Sequence, residues 1–329
     1  MAQPRPVLPQ ILRPGPAVGS AQHCGDWHAA QSQRRPAGRR AGRAFGGRAG
    51  RTTGGVPARD PHLAERWAER ATVTKIIAAI LTKNENKHVA ECIKSVQWAD
   101  AVILEDSFST DGTVETAREL GAVVYQNKFV NFAVARNNAL KNAQQMDAEW
   151  IFFIDADERA TPALAEEIRQ VIAANEKPGW WVPRYNVMWG HTMKGGGWYP
   201  DHQLRLMKIE AARYNPEREV HEIVMLDGQA GYLREHLIHY NYESLAQFRF
   251  KQNRYIDFEA KILKDKGIRA KPWTYITMPL REFKRRYISL GGYKDGWVGL
   301  QVCGLMGWYM FLTYVRLRRL YKFDPFPKP

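Results

Sequence analysis

Along the chain, the spacing of apolar and polar positions changes character at Thr74. Before it, aliphatic residues are sparse and follow no period; after it, short apolar runs alternate with helically spaced ones. Lys75-Ile-Ile-Ala-Ala-Ile-Leu-Thr82 is apolar from Ile76 to Leu81, the pattern of a strand buried on both faces. Val89, Cys92, Ile93 and Val96 then share one helical face. Ala101–Leu104 is a second buried strand that runs into Glu105-Asp106. Thr113–Leu120 reads as a helix stopped by Gly121, Ala122–Tyr125 as a third strand, Phe132–Asn142 as a third helix and Trp150–Ile154 as a fourth strand. The next helix starts from Thr161 as N-cap, with Pro162 at its first position. Strands alternating with helices over about 100 residues predict an α/β fold: a Rossmann-like, mostly parallel sheet with helices on both faces.

Such sheets bind ligands outside the carboxyl ends of their strands. The polar clusters Thr82-Lys-Asn-Glu85, Glu105-Asp106-Ser107 and Asp155-Ala-Asp157 each fall where a strand ends. All three are therefore expected along one sheet edge. No G-x-G-x-x-G follows any of these strands and no G-x-x-x-x-G-K-[ST] occurs, which disfavours a dinucleotide-binding fold and a P-loop.

Composition sets the front segment apart. Residues 1–72 contain 12 Arg, no Lys, two Asp and two Glu, which is +8 of the net +14 of the 329-residue chain. A stretch such as Arg34–Arg51 has too little apolar surface to offset the entropy of ordering it, so residues 1–72 are expected to be disordered. Three readings stand for this segment: an arm for nucleic acid or anionic lipid, an organelle transit peptide, or an over-extended start. No aromatic side chains are interleaved as stacking platforms, and Arg without Lys resembles codon bias, so nucleic acid is not an expected partner. Charged residues at 25% and aromatics at 12% exclude a wholly disordered or collagen-like chain. Cys24, Cys92 and Cys303 form no C-x-x-C pair, which excludes a disulfide scaffold and a cysteine-based zinc site. With no apolar core of a secretory signal, the expected compartment is the reducing cytoplasm.

Ile154-Asp155-Ala-Asp157 sets two carboxylates two residues apart at a strand end. Extended spacing points both the same way, so they can share one divalent cation. Oxygen ligands without nearby His or Cys suit Mg²⁺ or Mn²⁺, which usually retain phosphate oxygens as ligands. The bland alternative is an Asp-x-Asp that only caps the following turn.

Taken together, Thr82-Lys-Asn-Glu85, Glu105-Asp-Ser-Phe-Ser-Thr-Asp-Gly-Thr113, Ala135-Arg-Asn137 and Ile154-Asp-Ala-Asp-Glu158 resemble the family 2 glycosyltransferases of the GT-A fold. More narrowly, they resemble the lipopolysaccharide-core glucosyltransferase-like branch. The resemblance spans about residues 74–322 and implies a nucleotide-sugar donor, most often a uridine diphosphate sugar. It implies that Thr82, Asn84 and Glu85 line the base and ribose, that Asp106 accepts a hydrogen bond from the base, and that Arg136 faces the nucleotide or diphosphate. Asp155 would contact ribose or metal, and Asp157 would be the main metal ligand. Phe108 departs from the pattern, since many relatives carry Gly there, and is expected to reshape the base pocket.

Lys194-Gly-Gly-Gly-Trp-Tyr-Pro-Asp201-His-Gln-Leu-Arg205-Leu matches the family's Trp-x-Pro-Asp…Arg-Leu signature. The resemblance makes Asp201 the catalytic base, taking a proton from the acceptor hydroxyl in a single inverting displacement; a cap beside Pro200 is the structural alternative. Val220-His221-Glu222 follows. His221 is a candidate further metal ligand or a structural His, and Glu222 is the alternative base. His236 and His239 are expected to serve packing and local hydrogen bonds.

Beyond residue 240 the pattern is helical. Tyr242–Lys266 reads as one helix, and Gly296–Val315 is 20 residues without a formal charge, flanked by Arg281, Lys284, Arg285 and Arg286 before it and Arg316, Arg318, Arg319 and Lys322 after it. Gln301, four glycines and cations on both sides favour an interfacial or re-entrant segment on anionic lipid over a simple span; a buried helical hairpin is the alternative. The expected organisation is thus a tail over 1–72, a catalytic domain over 73–240, and a membrane-associating helical region over 241–329. The expected activity is metal-dependent hexosyl transfer to a glycolipid or lipid-linked glycan, peripheral on the inner face of the cell membrane. A peptide or polyprenyl-phosphate acceptor is the alternative, and a nucleic-acid-binding protein is the rival from another class.

Overall fold

The computed structural model describes residues 75–216 and 224–323; the expected tail over 1–72 lies outside them. Twelve strands are described: β1 Ile76–Thr82, β2 Ala101–Asp106, β3 Val123–Gln126, β4 Trp150–Asp155, β5 Glu158–Ala160, β6 Gly179–Met188, β7 His191–Thr192, β8 Asp201–Lys208, β9 Ala212–Tyr214, β10 Val224–Leu226, β11 Gly231–Tyr232 and β12 Leu237–Tyr242. The α-helices are α1 Asn86–Ser95, α2 Thr113–Glu119, α3 Phe132–Gln145, α4 Pro162–Ala174, α5 Leu245–Asp265, α6 Thr274–Lys284 and α7 Gly296–Phe323.

The main sheet runs β3-β2-β1-β4-β8-β6-β12-β5, with β7 and β11 also pairing to β6. Its first four strands are parallel. From β4 onward it is mixed: β4–β8, β8–β6 and β12–β5 are antiparallel, whereas β12 and β6 run parallel. This is the α/β architecture the alternation predicts, extended by strands that carry no helix between them.

The apolar run of β1 explains the layering. Ile76, Ala78 and Ile80 join one core with Val89, Cys92 and Ile93 of α1 and Leu164 and Ile168 of α4. Ile77 and Ala79 join a second core with Ala139, Leu140 and Ala143 of α3. Alternate residues of one strand thus feed two cores because both faces are covered. Helix ends follow local chemistry: the side chains of Asn131, Thr161 and Ser244 accept hydrogen bonds from Val134, Leu164 and Gln247 N–H groups at 2.9, 3.2 and 3.2 Å.

Two boundaries differ from the expectation. The chain leaves the sheet only after Tyr242, so the division expected at 240 falls inside β12, and α5 begins at Leu245. The apolar stretch 296–315 is part of one 28-residue helix, α7, which packs against α5 and α6. Its apolar window is long enough to cross a membrane, yet 44% of it is buried within the protein. Met188, Trp198, Tyr242 and Phe248 meet Val302, Met306 and Tyr309 of α7 in a third core that ties this helix to the sheet.

Candidate active site

Parallel strands put their carboxyl ends at one edge, and here Thr82 is registered with Asp106, and Leu81 with both Glu105 and Asp155. The three polar clusters meet there. The first two are laced together. Asn84 N–H donates to Ser109 Oγ at 2.8 Å, Asn84 Oδ1 accepts from Thr110 N–H at 2.9 Å, and Glu85 N–H donates to Thr113 Oγ1 at 2.9 Å. Asn84 and Phe108 both adopt left-handed backbone, with φ of 56° and 58°. That conformation suits Gly; Phe108 bears the strain there and leaves its ring half-exposed.

Asp106 is fully buried. It accepts hydrogen bonds from Thr82 Oγ1 at 3.1 Å, Ser109 N–H at 2.9 Å, Gln126 Nε2 at 3.2 Å and the Ser109 hydroxyl. Burial alone would raise its pKa, but these donors hold it below the ordinary carboxylate value. In the free protein its carboxylate oxygens are met from within the chain, and through Ser109 it fixes the loop that Phe108 tops.

Asp155 and Asp157 diverge. Strand β4 ends at Asp155 and the chain turns at once, so extended alternation does not reach Asp157. Arg205 holds Asp155 with two N–H groups, Nη1 at 3.1 Å from Oδ1 and Nη2 in close contact with Oδ2. Arg136 Nη2 stands 3.9 Å from Asp155 Oδ1, its guanidinium over the Phe153 ring at 5.0 Å. Asp157 Oδ2 instead faces His239 Nε2 at 3.5 Å. Asp155 is thus held by arginine with its side chain 38% exposed, and Asp157 faces an imidazole with its side chain 26% exposed. Burial opposes ionisation of both, but Arg205 and Arg136 at Asp155, and His239 at Asp157, hold their pKa values low. Among the described residues no group of three or more His, Cys, Asp or Glu side chains is gathered closely enough to hold a metal by itself.

Glu85 behaves oppositely. Burial, then the charges of Asp157, Asp111 and Asp155, push its pKa up to about 7, while Lys251 on α5 pulls it down.

Asp201 lies deeper, at the start of β8. It is 1% exposed. Its Oδ2 accepts from Arg184 Nε and Asn186 Nδ2, both at 3.0 Å, with a further close Arg184 Nη2 contact, and its Oδ1 accepts from Gln203 Nε2 at 2.9 Å. Burial would raise its pKa, but Arg184, Asn186 and Gln203 lower it. The carboxylate expected to act as base is thus enclosed by these donors and held ionised in the free protein. Arg184 Nη1 and Arg205 Nη2 each donate to Glu158 Oε1 at 2.7 Å. Asn186 Oδ1 accepts from His239 Nδ1 at 2.7 Å, which puts the Nδ1 proton on the imidazole and turns Nε2 toward Asp157. A continuous chain of pairs thus joins Asp157, His239, Asn186, Asp201, Arg184, Glu158, Arg205 and Asp155. Its buried charges are tolerable because each has a hydrogen-bonded partner.

His221 and Glu222 lie outside the described residues. Arg184, His239 and Lys251 are the participants that the pattern reading missed. Arg184 did carry a signal: an arginine inside an otherwise apolar strand needs a buried anion. His239 and Lys251 carried none, since their proximity to Asp157 arises from β12 and α5 folding back over the strand ends.

Residues 78–240 match the model of glycosyl transferase family 2. The lipopolysaccharide core biosynthesis glycosyltransferase LpsC of Rhizobium meliloti is 28% identical over 247 residues, covering 73% of this chain and 90% of that protein. An uncharacterized glycosyltransferase of Rickettsia conorii is 28% identical over 268 residues, covering 76% and 91%. Among solved structures, glucosyl-3-phosphoglycerate synthase of Mycobacterium tuberculosis in complex with Mn²⁺, uridine diphosphate and glucosyl-3-phosphoglycerate is 17% identical, covers 66% of this chain and 87% of that one, and superposes with a TM-score of 0.41. The strand-end motifs that bear the resemblance lie inside the matched segment and on one edge of its sheet, and the chain belongs to the family 2 glycosyltransferases.

Proposed function

We propose that the protein transfers a hexose, with inversion, from a uridine diphosphate sugar to a glycolipid or lipid-linked glycan at the cytoplasmic membrane face. The observation that carries this reading is the single edge at which β1, β2 and β4 end, where the interlocked Asn84 and Ser109 loops, Arg136 and the Asp155–Asp157 turn all lie. The place of LpsC in lipopolysaccharide core biosynthesis supports a glycan acceptor on lipid.

In this reading Thr82, Asn84 and Glu85 line the base and ribose, and Arg136 meets the diphosphate with a planar cationic fork. Asp157 fits Mg²⁺ or Mn²⁺: it offers carboxylate oxygens, is held ionised, and its side chain is 26% exposed. Such a cation would stabilise charge on the departing diphosphate. Arg205 keeps Asp155 oriented. Asp201 acts by position, holding Arg184 and Asn186 and, through Asn186, the imidazole beside Asp157. In the same reading the acceptor proton goes to Glu222, the alternative base offered by the sequence, which lies outside the described residues.

The test is release of nucleoside diphosphate by the full chain from UDP-, GDP- and dTDP-sugars with Mn²⁺ or Mg²⁺. Metal-dependent release of UDP, abolished in Asp157→Ala, is expected. Absence of turnover together with absence of metal-linked nucleotide binding by calorimetry would overturn the reading.

A further inference from the structure

Helix α5 begins where the chain leaves the sheet, and its first two turns lie against the end of β12. Phe248 and Gln252 are buried there. Phe248 meets Tyr242 with ring centroids 4.8 Å apart, and Gln252 Nε2 donates to the Tyr242 hydroxyl at 3.1 Å. Lys251, three residues beyond Phe248, shares that helical face. Its Nζ stands 5.2 Å from the Tyr242 ring centroid and donates to the Asn241 carbonyl at 3.1 Å. That carbonyl belongs to the strand segment that braces the Asp157 turn. The neighbouring Tyr240 N–H donates to Asp157 O at 2.9 Å, and Asn241 Nδ2 donates to Asn186 Oδ1 at 3.1 Å. The ammonium is therefore fixed beside the Asp155–Asp157 turn.

An ammonium has three N–H donors. Among the described residues this one has a single hydrogen-bond acceptor and no carboxylate paired with it. Its charge reaches Glu85, Asp157 and Glu243, yet each of these is otherwise occupied. Glu243 is held by Lys87 and faces His88 at 3.4 Å, Asp157 faces His239, and burial pushes Glu85 up to about 7. The arginines of this edge are engaged as well: Arg184 with Glu158 and Asp201, Arg205 with Asp155 and Glu158, and Arg136 beside Asp155. A half-buried cation without an anion is electrostatically incomplete.

We infer that Lys251 binds the diphosphate of the nucleotide-sugar donor, its remaining N–H groups meeting phosphate oxygens. The identity of the anion rests on the proposed function. A diphosphate brings more negative charge to an edge that already holds Asp155 and Asp157, so it needs a cation that no carboxylate has taken, and a compact ammonium suits phosphate as a point charge. Lys251 lies beyond residues 78–240, the segment matched by the family model. The C-terminal helical region thus contributes to the donor site itself, through a residue placed by the packing of Phe248 and Gln252.

The test is calorimetry of the full chain with UDP and with uridine, each in the presence of Mn²⁺. Lys251→Met keeps an unbranched apolar stem against Tyr242 and removes the charge. It is expected to bind UDP roughly 10–100-fold more weakly than wild type, the range of a lost charge-assisted hydrogen bond, and uridine equally well. Circular dichroism reports whether the variant is folded. A second readout needs no variant: wild-type protein is acetylated with acetic anhydride and its lysines are compared by mass spectrometry. Lys251 is expected to be protected by UDP with Mn²⁺ and not by uridine, while Lys94, with its side chain 53% exposed, reacts alike in both. Equal UDP affinity in a folded variant, an equal loss for uridine, or a Lys251 that UDP leaves unprotected would overturn the inference alone. A wild-type chain that binds no UDP would overturn the donor reading and the inference with it.

Discussion

The substitution Asp201→Asn separates a positioning carboxylate from a catalytic base. Asp201 is 1% exposed and Arg184 3% exposed, and three donors converge on the carboxylate. Asparagine keeps the shape and one acceptor oxygen but removes the charge opposite Arg184, which Glu158 then compensates alone. Breaking a buried pair by removing one partner costs about 3–5 kcal/mol. With one acceptor retained, about 3 kcal/mol is expected, or roughly 6–12 °C in Tm for a domain of this size. The deficit also has a pH signature. The folded pKa of Asp201 lies below its unfolded value, so its stabilisation is complete above the unfolded value, about 3.9, and is lost as pH falls through the folded value. The gap in Tm between wild type and variant should therefore narrow as pH drops below about 4. Scanning fluorimetry across pH, beside UDP release to an acceptor glycan, measures both. A base would give the opposite pair of results: an unchanged Tm, and a rate lowered about 10²–10⁴-fold with loss of the acid limb of the pH profile. That outcome would refute the positioning assignment.

Glu85 titrates near neutrality because burial and the nearby charges of Asp157, Asp111 and Asp155 oppose its ionisation. A raised carboxylate pKa makes the fold lose stability as pH rises from about 4.5 towards about 7, so Glu85→Gln should gain Tm over wild type between these limits, read by fluorimetry. Gly195→Ala would drive a Cβ to 2.1 Å from the Gly291 carbonyl oxygen, backbone that cannot yield, and is expected to cost about 3 kcal/mol in urea unfolding. The Cys92 thiol is driven above its ordinary pKa by burial, and that of Cys303 is pushed up to about 11, again chiefly by burial. Both should resist thiol reagents in native protein and react after denaturation.

Much of the fold was legible before any coordinates. Six consecutive apolar residues from Ile76 to Leu81 announce a strand covered on both sides, and Thr161-Pro162 announces a helix start, because both signals depend on neighbours in sequence. The meeting of Thr82, Asp106 and Asp155 was equally readable, since parallel strands necessarily put their carboxyl ends together. The state of those carboxylates was not. Which groups meet each Asp depends on donors distant in sequence: Gln126 at Asp106, Arg205 at Asp155, Arg184 at Asp201.

The C-terminal region shows the same division. An uncharged stretch from Gly296 to Val315 suggests lipid contact by composition, but composition cannot say which side of a helix another helix covers. In the folded protein α5 and α6 cover much of α7, and the large apolar groups left outward are shared between Ile276 and Leu280 of α6 and Trp297 and Trp308 of α7. Local sequence determined which segments become strands and helices and where polar loops interrupt them, because backbone propensity and periodicity act over a few residues. Tertiary structure alone decided which charges are paired and which apolar faces remain uncovered, because pairing and burial are set by chain segments brought together from 17 to 100 residues apart.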